Sequence, residues 1–333
     1  MLNRRNFFSV PGSPPAPPEG FWLNVNRSAM ACRFEITLPG SEHNCVAAAR
    51  SALDEIDKLE QQLTVFKETS EVSFVNRNAG LRPVEVTRSL FNLLLLSQKL
   101  YRETDHAFDV TSGPLSCCWG FMRRQGRIPE AEEIYKARAS VGSEKVGLDH
   151  RAQTIRFDHP GVELNFGSIG KGYALDRVAA LVGRRVRSAL LSAGASSMRA
   201  IGRGNIGDQG WVVGIRHPNH LDKRMAVLRL RNCAMSTSGN EEQFFEHDGK
   251  RYGHIIDPRN GMPADGVSRV TVVARSAAMT DALSTAFYVG GPELAERYCA
   301  EHPGTLAIML ERDAGEAVVF GFNPDCEVEL IDD

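Results

Sequence analysis

The 333-residue chain is short of the features that mark most specialised classes. An excess of one charge is missing: 39 basic residues stand against 41 acidic ones, for a formal charge of −2. A nucleic-acid binder presents a strongly basic face, so that class is set aside. The Arg184, Arg185 and Arg187 cluster reads as solvated surface. Long apolar runs are missing too, and none approaches the roughly 18 residues that cross a membrane. Cysteine is neither paired nor patterned. The seven, at positions 32, 45, 117, 118, 233, 299 and 326, contain no C-x-x-C and include the adjacent pair Cys117–Cys118. That argues against a disulfide framework and a zinc knuckle, and it favours a reducing, cytoplasmic setting. Secreted proteins can carry free thiols, so an exported location stays open.

A full export signal is also missing. Arg4-Arg5-Asn6-Phe7-Phe8 has the twin-arginine look, but Pro11-Gly-Ser-Pro-Pro-Ala-Pro-Pro18 follows at once. A signal needs an apolar helix of roughly 7–15 residues there, and this segment cannot form one. Residues 1–20 are expected to be an extended, Pro-rich leader and residues 21–333 a single domain.

Hydrophobic residues at 42% are enough for a sizeable core. Alternation in Arg33–Leu38 predicts a strand closing an opening pair over 21–38. Val46, Ala49, Leu53, Ile56, Leu59 and Leu63 recur at helical spacing. A second helix is expected from Ser89 to Thr104, then a loop over 105–121. Val162–Phe166 reads as a strand running through a turn into a helix over 173–182. Strands follow at Ala189–Ser192, Trp211–Arg216 and Val267–Ala274, and helices at Ala278–Val289 and Pro292–His302. Two strands, Thr305–Leu310 and Ala317–Phe322, end the pattern. The mixture lacks regular βαβ alternation, which predicts a mixed α/β (α+β) fold with antiparallel sheet.

Several segments carry chemistry. Gly167-Ser168-Ile169-Gly170-Lys171-Gly172 fails the P-loop spacing, because Asn165 and Gly172 stand where Gly and Ser or Thr are needed. A helix start near Lys171 could still hold a phosphate; the plain alternative is an ordinary tight turn. Asp281 and Thr285 lie four apart and share a helix face, so a carboxylate and a hydroxyl could offer hard oxygens to Mg²⁺. The alternative is an acidic residue favoured by the helix dipole. His254 and Asp257 bracket two apolar residues before the Pro258–Gly261 turn, a pairing suited to taking a proton from a hydroxyl. Ala107-Phe108-Asp109, with Trp119-Gly-Phe121, sets a carboxylate among rings that either face a flat ligand or plug a core.

In this order the segments resemble the ApbE family of FAD:protein FMN transferases over roughly residues 28–325. The resemblance rests on Ala107-Phe108-Asp109 with Ser112-Gly113-Pro114-Leu115, and on Gly170-Lys171-Gly172-Tyr173-Ala174 with Asp176. Ser238-Gly239 with Glu242, His254-Ile255-Ile256-Asp257-Pro258, and Asp281-Ala282-Leu283 with Thr285 complete it. It implies two T-fold-like modules, with antiparallel sheets and helices, around a central FAD cleft. It also implies FAD as substrate, Mg²⁺ as cofactor, and a protein acceptor whose threonine sits in an Asp-x-x-Thr-(Ser/Ala)-Thr-like motif. Residue by residue, Ser168, Asp281 and Thr285 match metal ligands. Met30, Phe66, Ala107, Phe108, Asp109, Asn165, Lys171 and Ile255 match FAD contacts. His254 matches the group that assists deprotonation of the acceptor hydroxyl, with Asp257 its neighbour.

The chain departs from the family pattern mainly on the FAD side. Asn165 stands where Asp is usual, Gly194-Ala195-Ser196 where Gly-Gly-Asp is, Met30-Ala31-Cys32 where Met-Gly-Thr is, and Glu241 where Tyr is. Two other outcomes therefore stay in view: hydrolysis of FAD to FMN and AMP, and flavin binding without turnover.

Overall fold

The computed structural model describes residues 21–204, 209–220, 222–239, 243–312 and 314–331. The leader, Glu241 and Glu242 lie outside the described residues. Seven α-helices occur among them: α1 (Val46–Leu63), α2 (Glu71–Asn78), α3 (Arg88–Glu103), α4 (Gly113–Cys118), α5 (Ala131–Ala139), α6 (Gly170–Val182) and α7 (Ala277–Glu301). The strands are β1 (Trp22–Ala29), β2 (Cys32–Pro39), β3 (Val84–Glu85), β4 (Val146–Asp149), β5 (Thr154–Phe157), β6 (Ala189–Ala193), β7 (Ser197–Ile201) and β8 (Trp211–Arg216). They continue as β9 (Arg224–Leu230), β10 (Ala234–Gly239), β11 (Phe244–His247), β12 (Lys250–Gly253), β13 (Val267–Ala274), β14 (Leu306–Glu311), β15 (Val318–Gly321) and β16 (Cys326–Leu330).

The main sheet runs β1-β2-β6-β7-β10-β13-β14-β15, and every neighbouring pair is antiparallel. Two four-stranded halves meet at β7–β10, through Ser197↔Ser236, Met198↔Met235 and Arg199↔Ala234. Helices α1 and α6 pack on the first half, burying Leu53, Ile56, Ala174 and Val178 against Phe34, Ile36 and Leu191. Helix α7 packs on the second half with Ala282, Leu283, Ala286 and Phe287 against Val270, Val272 and Ala307. The opposite face of the sheet is covered by the three-stranded sheet β16-β9-β8, where Val213, Ile215 and Leu228 meet Met235, Val273 and Ile308. Strands β13 and β14 are thus buried on both faces, which is why Leu306–Leu310 is an unbroken apolar run and Val270–Ala274 is interrupted only by buried Thr271.

Local chemistry sets the boundaries. Thr87 caps α3 by accepting from the Leu90 N–H, and Ser70 caps α2 by accepting from the Ser73 N–H at 2.9 Å. The two tail helices expected from the sequence form one element broken at Gly291, whose φ of 75° and ψ of −169° leave the helical region before Pro292 restarts it. Two expectations fail. The 105–121 stretch is not all loop, because Ser112-Gly113-Pro114 starts α4, with Pro inside the first turn where its missing N–H is harmless. Residues 162–166 are extended but pair with no strand; they run beside residue 110, where the Asn165 N–H donates to the Val110 carbonyl at 2.7 Å. Helix α6 begins at Gly170, three residues earlier than expected.

Candidate active site

The first turn of α6 and the first two turns of α7 are locked together. The Gly172 N–H donates to Asp281 Oδ2 at 2.9 Å, and Ser197 Oγ donates to Oδ1 at 3.2 Å. A Cβ on Gly172 would lie 2.0 Å from the Ala277 carbonyl oxygen, so only glycine permits this approach. Asp176, one turn further along α6, accepts from Ser276 Oγ at 2.7 Å and from the N–H groups of Ala277 and Ala278 at 2.9 and 3.0 Å. It therefore caps α7 from a neighbouring helix and satisfies donors that a helix start leaves orphaned. Ser168, Gly170 and Lys171 line the same cleft as Asp281 and Thr285.

Asp281 is buried, and burial pushes its carboxyl pKa up; the Lys171 cation and then the Gly172 N–H act against that shift. Thr285 Oγ1 lies 3.4 Å from the Asp281 carbonyl and 3.5 Å from Ser238 Oγ. Ser168, Asp281 and Thr285 line one cleft. A single carboxylate flanked by neutral hydroxyl and carbonyl oxygens is a hard donor set that fits Mg²⁺ sharing its shell with substrate phosphates. Among the described residues no three His, Cys, Asp or Glu converge, so no zinc-type cluster competes with it.

The cleft has a volume of about 1160 Å³, at the upper end of ligand pockets, which run to roughly 1,000 Å³. Met30, Phe66, Ala107, Asp109, Asn165, Lys171 and Ile255 all line it. Phe108 does not: it is 1% exposed in the main core, a correction to its expected contact role. Phe66 is the opposite, 74% exposed, its ring open to a flat partner. Met30 and Ala31 form the two-residue β1–β2 turn with φ of 50° and 58°. Such a turn suits Asn-Gly, so Ala31 holds a strained left-handed conformation at the cleft edge. Asp109 commits its carboxylate to hydrogen bonds within the chain. Oδ1 accepts from the Thr111 N–H, Thr111 Oγ1 and Ser143 Oγ at 2.8, 2.8 and 2.6 Å, tying the 109–112 loop to residue 143. Burial raises its pKa and those bonds oppose the rise. Asn165 Oδ1 accepts from the Gly167 N–H at 2.9 Å, so the amide shapes the turn before α6. Lys171 Nζ donates to Ser196 Oγ at 2.7 Å, reaching into the β6–β7 turn.

His254 also lines the cleft, just beyond the β11–β12 hairpin. Its Nδ1 lies 3.1 Å from the Gln243 carbonyl, an acceptor only, so Nδ1 carries the hydrogen and Nε2 is the basic nitrogen of the neutral ring. Asp257 is engaged elsewhere. Its carboxylate takes a two-pronged contact from Arg259, Nε to Oδ1 and Nη2 to Oδ2 at 2.8 Å each, plus Asn260 Nδ2 at 3.2 Å. Asp257 is absent from the cleft wall and fixes the 257–261 turn. The two rings divide: Trp119 is buried, stacks on Tyr252 at 5.9 Å and donates Nε1–H to the Gly261 carbonyl at 2.8 Å, whereas Phe121 packs in the same cluster and also lines the cleft.

Residues 30–310 match the model of the ApbE family. The chain belongs to the ApbE family. A relative from Klebsiella pneumoniae (strain 342) named FAD:protein FMN transferase is 32% identical over 271 residues, 80% of this chain and 82% of its own. One of the same name from Treponema pallidum (strain Nichols) is 32% identical over 80% of this chain and 79% of its own. Among solved structures, the Thermotoga maritima ApbE protein superposes with a TM-score of 0.81 at 29% identity, covering 90% of this chain and 96% of its own. The apo Pseudomonas stutzeri flavinyl transferase ApbE gives 0.73 at 29% identity, over 90% and 94%.

Within this ApbE-family fold, four supporting residues had no role assigned from the sequence: Asp176 as the cap of α7, Ser196 under Lys171, Gln243 behind His254 and Arg259 on Asp257. Asp176 stood in a quoted motif, but its partners lie a hundred residues away. Only Arg259 carried a local signal, a cation two residues from a carboxylate at a Pro-Arg-Asn-Gly turn.

Proposed function

We propose that this chain transfers FMN from FAD to a hydroxyl of an acceptor protein, releasing AMP. The carrying observation is the α6–α7 junction, where buried Asp281 and half-buried Thr285 share with the Ser168–Lys171 turn the wall of a cleft that also holds His254. Relatives named for that reaction at 32% identity over four-fifths of the chain support the same reading.

In this reading Asp281, Thr285 and Ser168 hold Mg²⁺. Bound there, the ion neutralises diphosphate charge and stabilises charge that develops at phosphorus. Lys171 and the α6 N-terminus face the same phosphates. Phe66 gives the flavin or adenine a ring to lie against, with Met30, Ala107 and Ile255 forming apolar wall. Asp109 and Asn165 contribute through the loops they shape rather than through direct charge. Because Asn165 uses both ends of its amide, with Nδ2 reaching Met122 Sδ at 3.4 Å, its place in the fold does not need the aspartate usual in the family. His254 Nε2 takes the proton from an acceptor threonine hydroxyl. The threonine oxygen forms the new bond to the FMN-side phosphorus, and the bond from that phosphorus to the bridging oxygen breaks. AMP leaves with that oxygen. Asp257 positions the turn that follows His254.

The test is incubation with FAD, Mg²⁺ and a peptide of the Asp-x-x-Thr-(Ser/Ala)-Thr type. Flavin fluorescence on the peptide in a denaturing gel, with equimolar AMP, is the expected result. AMP without labelled peptide would instead establish hydrolysis, and bound FAD with neither product would establish passive flavin binding.

A further inference from the structure

The cleft extends past the α6–α7 junction to the free side of β8, the edge strand of the β16-β9-β8 sheet. The direction of its backbone groups follows from register. The Ile331 N–H donates to the Met225 carbonyl, so odd residues of β9 face β16 and even ones face β8. Ala226, Leu228 and Leu230 pair with Ile215, Val213 and Trp211, which therefore turn their N–H and C=O groups inward. Val212 and Gly214 turn theirs outward, and no described residue takes them up. The Arg216 carbonyl beyond the bulge is also outward and accepts from Arg269 Nη1 at 2.5 Å. Gly214 leaves the strand bare of side chain at its centre, and a Cβ there would meet the Arg224 side chain at 2.7 Å, so Arg224 lies across it. No ion pair among the described residues engages Arg216 or Arg224. Edge strands are commonly blunted by charge, a bulge or a cover; this one carries a bulge at Ile215/Arg216 and the charges of Arg216 and Arg224, and its Val213–Arg216 stretch forms the wall of the cleft.

We propose that the acceptor protein docks by adding an extended segment to the β8 edge, with acidic side chains of that segment held by Arg216 and Arg224. This rests on the transferase reading. Main-chain bonds to Val212 and Gly214 would give affinity whatever the segment's exact sequence, and the arginines would favour acidic ones. The docked strand shares the cleft with His254 and Asp281, so its hydroxyl residue is delivered along the same wall.

The test uses the acidic acceptor peptide and a version with lysine in place of its acidic residues. Gly214→Pro removes an outward donor while sparing the β9 ladder. It should raise the KM for the peptide about tenfold, the loss of one good hydrogen bond, with FAD binding and AMP release into water unchanged. Arg216→Glu with Arg224→Glu should reverse the preference between the two peptides. Reversal of preference needs a folded enzyme, so it stands even where the proline variant folds poorly. Wild-type KM in Gly214→Pro together with unaltered peptide preference in the arginine variant would overturn strand addition. A wild-type enzyme that releases AMP but labels no acceptor would instead remove the transferase reading, and this inference with it.

Discussion

The two sides of the cleft are built to different standards. At the α6–α7 junction polar groups are buried or half-buried and answered across the chain: Gly172 to Asp281, Asp176 to the start of α7, Ser197 to Asp281. His254 instead follows a two-stranded hairpin, closed by an Asp248-Gly249 turn with φ of 49° and 72°, whose own residues are mostly exposed. That hairpin is held by rings, Phe245 on Tyr252 at 5.2 Å and Tyr252 on Trp119. The electrostatic half of the site is fixed within the core, and the proton-transfer half is mounted on a satellite. Charge stabilisation requires fixed dipoles, whereas a base has to meet an incoming protein hydroxyl.

Breaking the fixed side should do the most damage. Asp281→Asn is expected to lower the transfer rate by about 10³-fold, measured by in-gel flavin fluorescence, without lowering the melting temperature of the metal-free protein. The sign for stability follows from the raised pKa of Asp281. A carboxyl with a raised folded-state pKa adds stability below its unfolded value and loses it as pH rises through the folded value. Metal-free wild type therefore carries a penalty at neutral pH that Asn removes. For the same reason the rise in melting temperature on adding Mg²⁺ should shrink as pH falls through the raised pKa, where protons compete for Asp281.

His254→Ala should cost roughly 10²-fold or more in rate yet keep the full Mg²⁺-dependent thermal shift, which separates the two sides cleanly. Gly172→Ala should destabilise by about 1–3 kcal/mol, as forced overpacking does, and reduce Mg²⁺ response with it. Trp119→Phe deletes the donor to the Gly261 carbonyl and should cost about 1 kcal/mol, with rate falling more than FAD affinity. Ala31→Gly should relieve the left-handed strain in the β1–β2 turn and raise stability by about 0.5–1 kcal/mol, read by chemical denaturation.

Much of the architecture was legible where one residue's neighbours in sequence are its neighbours in space. The α1 periodicity, the α3 cap and the apolar runs of β13 and β14 are of that kind. The pairing of Asp281 with Thr285 was readable as a helix face. What was not readable depends on distant partners. Nothing local says that Asp109 will serve Thr111 and Ser143, that Phe108 will enter the core, or that Asp257 will choose Arg259 over His254. The 162–166 segment misled because it has strand composition without a strand partner, and the 113–118 helix was hidden by its Gly-Pro start.

The claim beneath all of this is that the α6–α7 junction binds a divalent cation together with FAD. Titration of Mn²⁺ into the FAD-bound protein, followed by loss of the free Mn²⁺ electron paramagnetic resonance signal, tests it directly. Wild type should take up Mn²⁺ and Asp281→Asn should not; equal uptake by the two proteins would contradict the account.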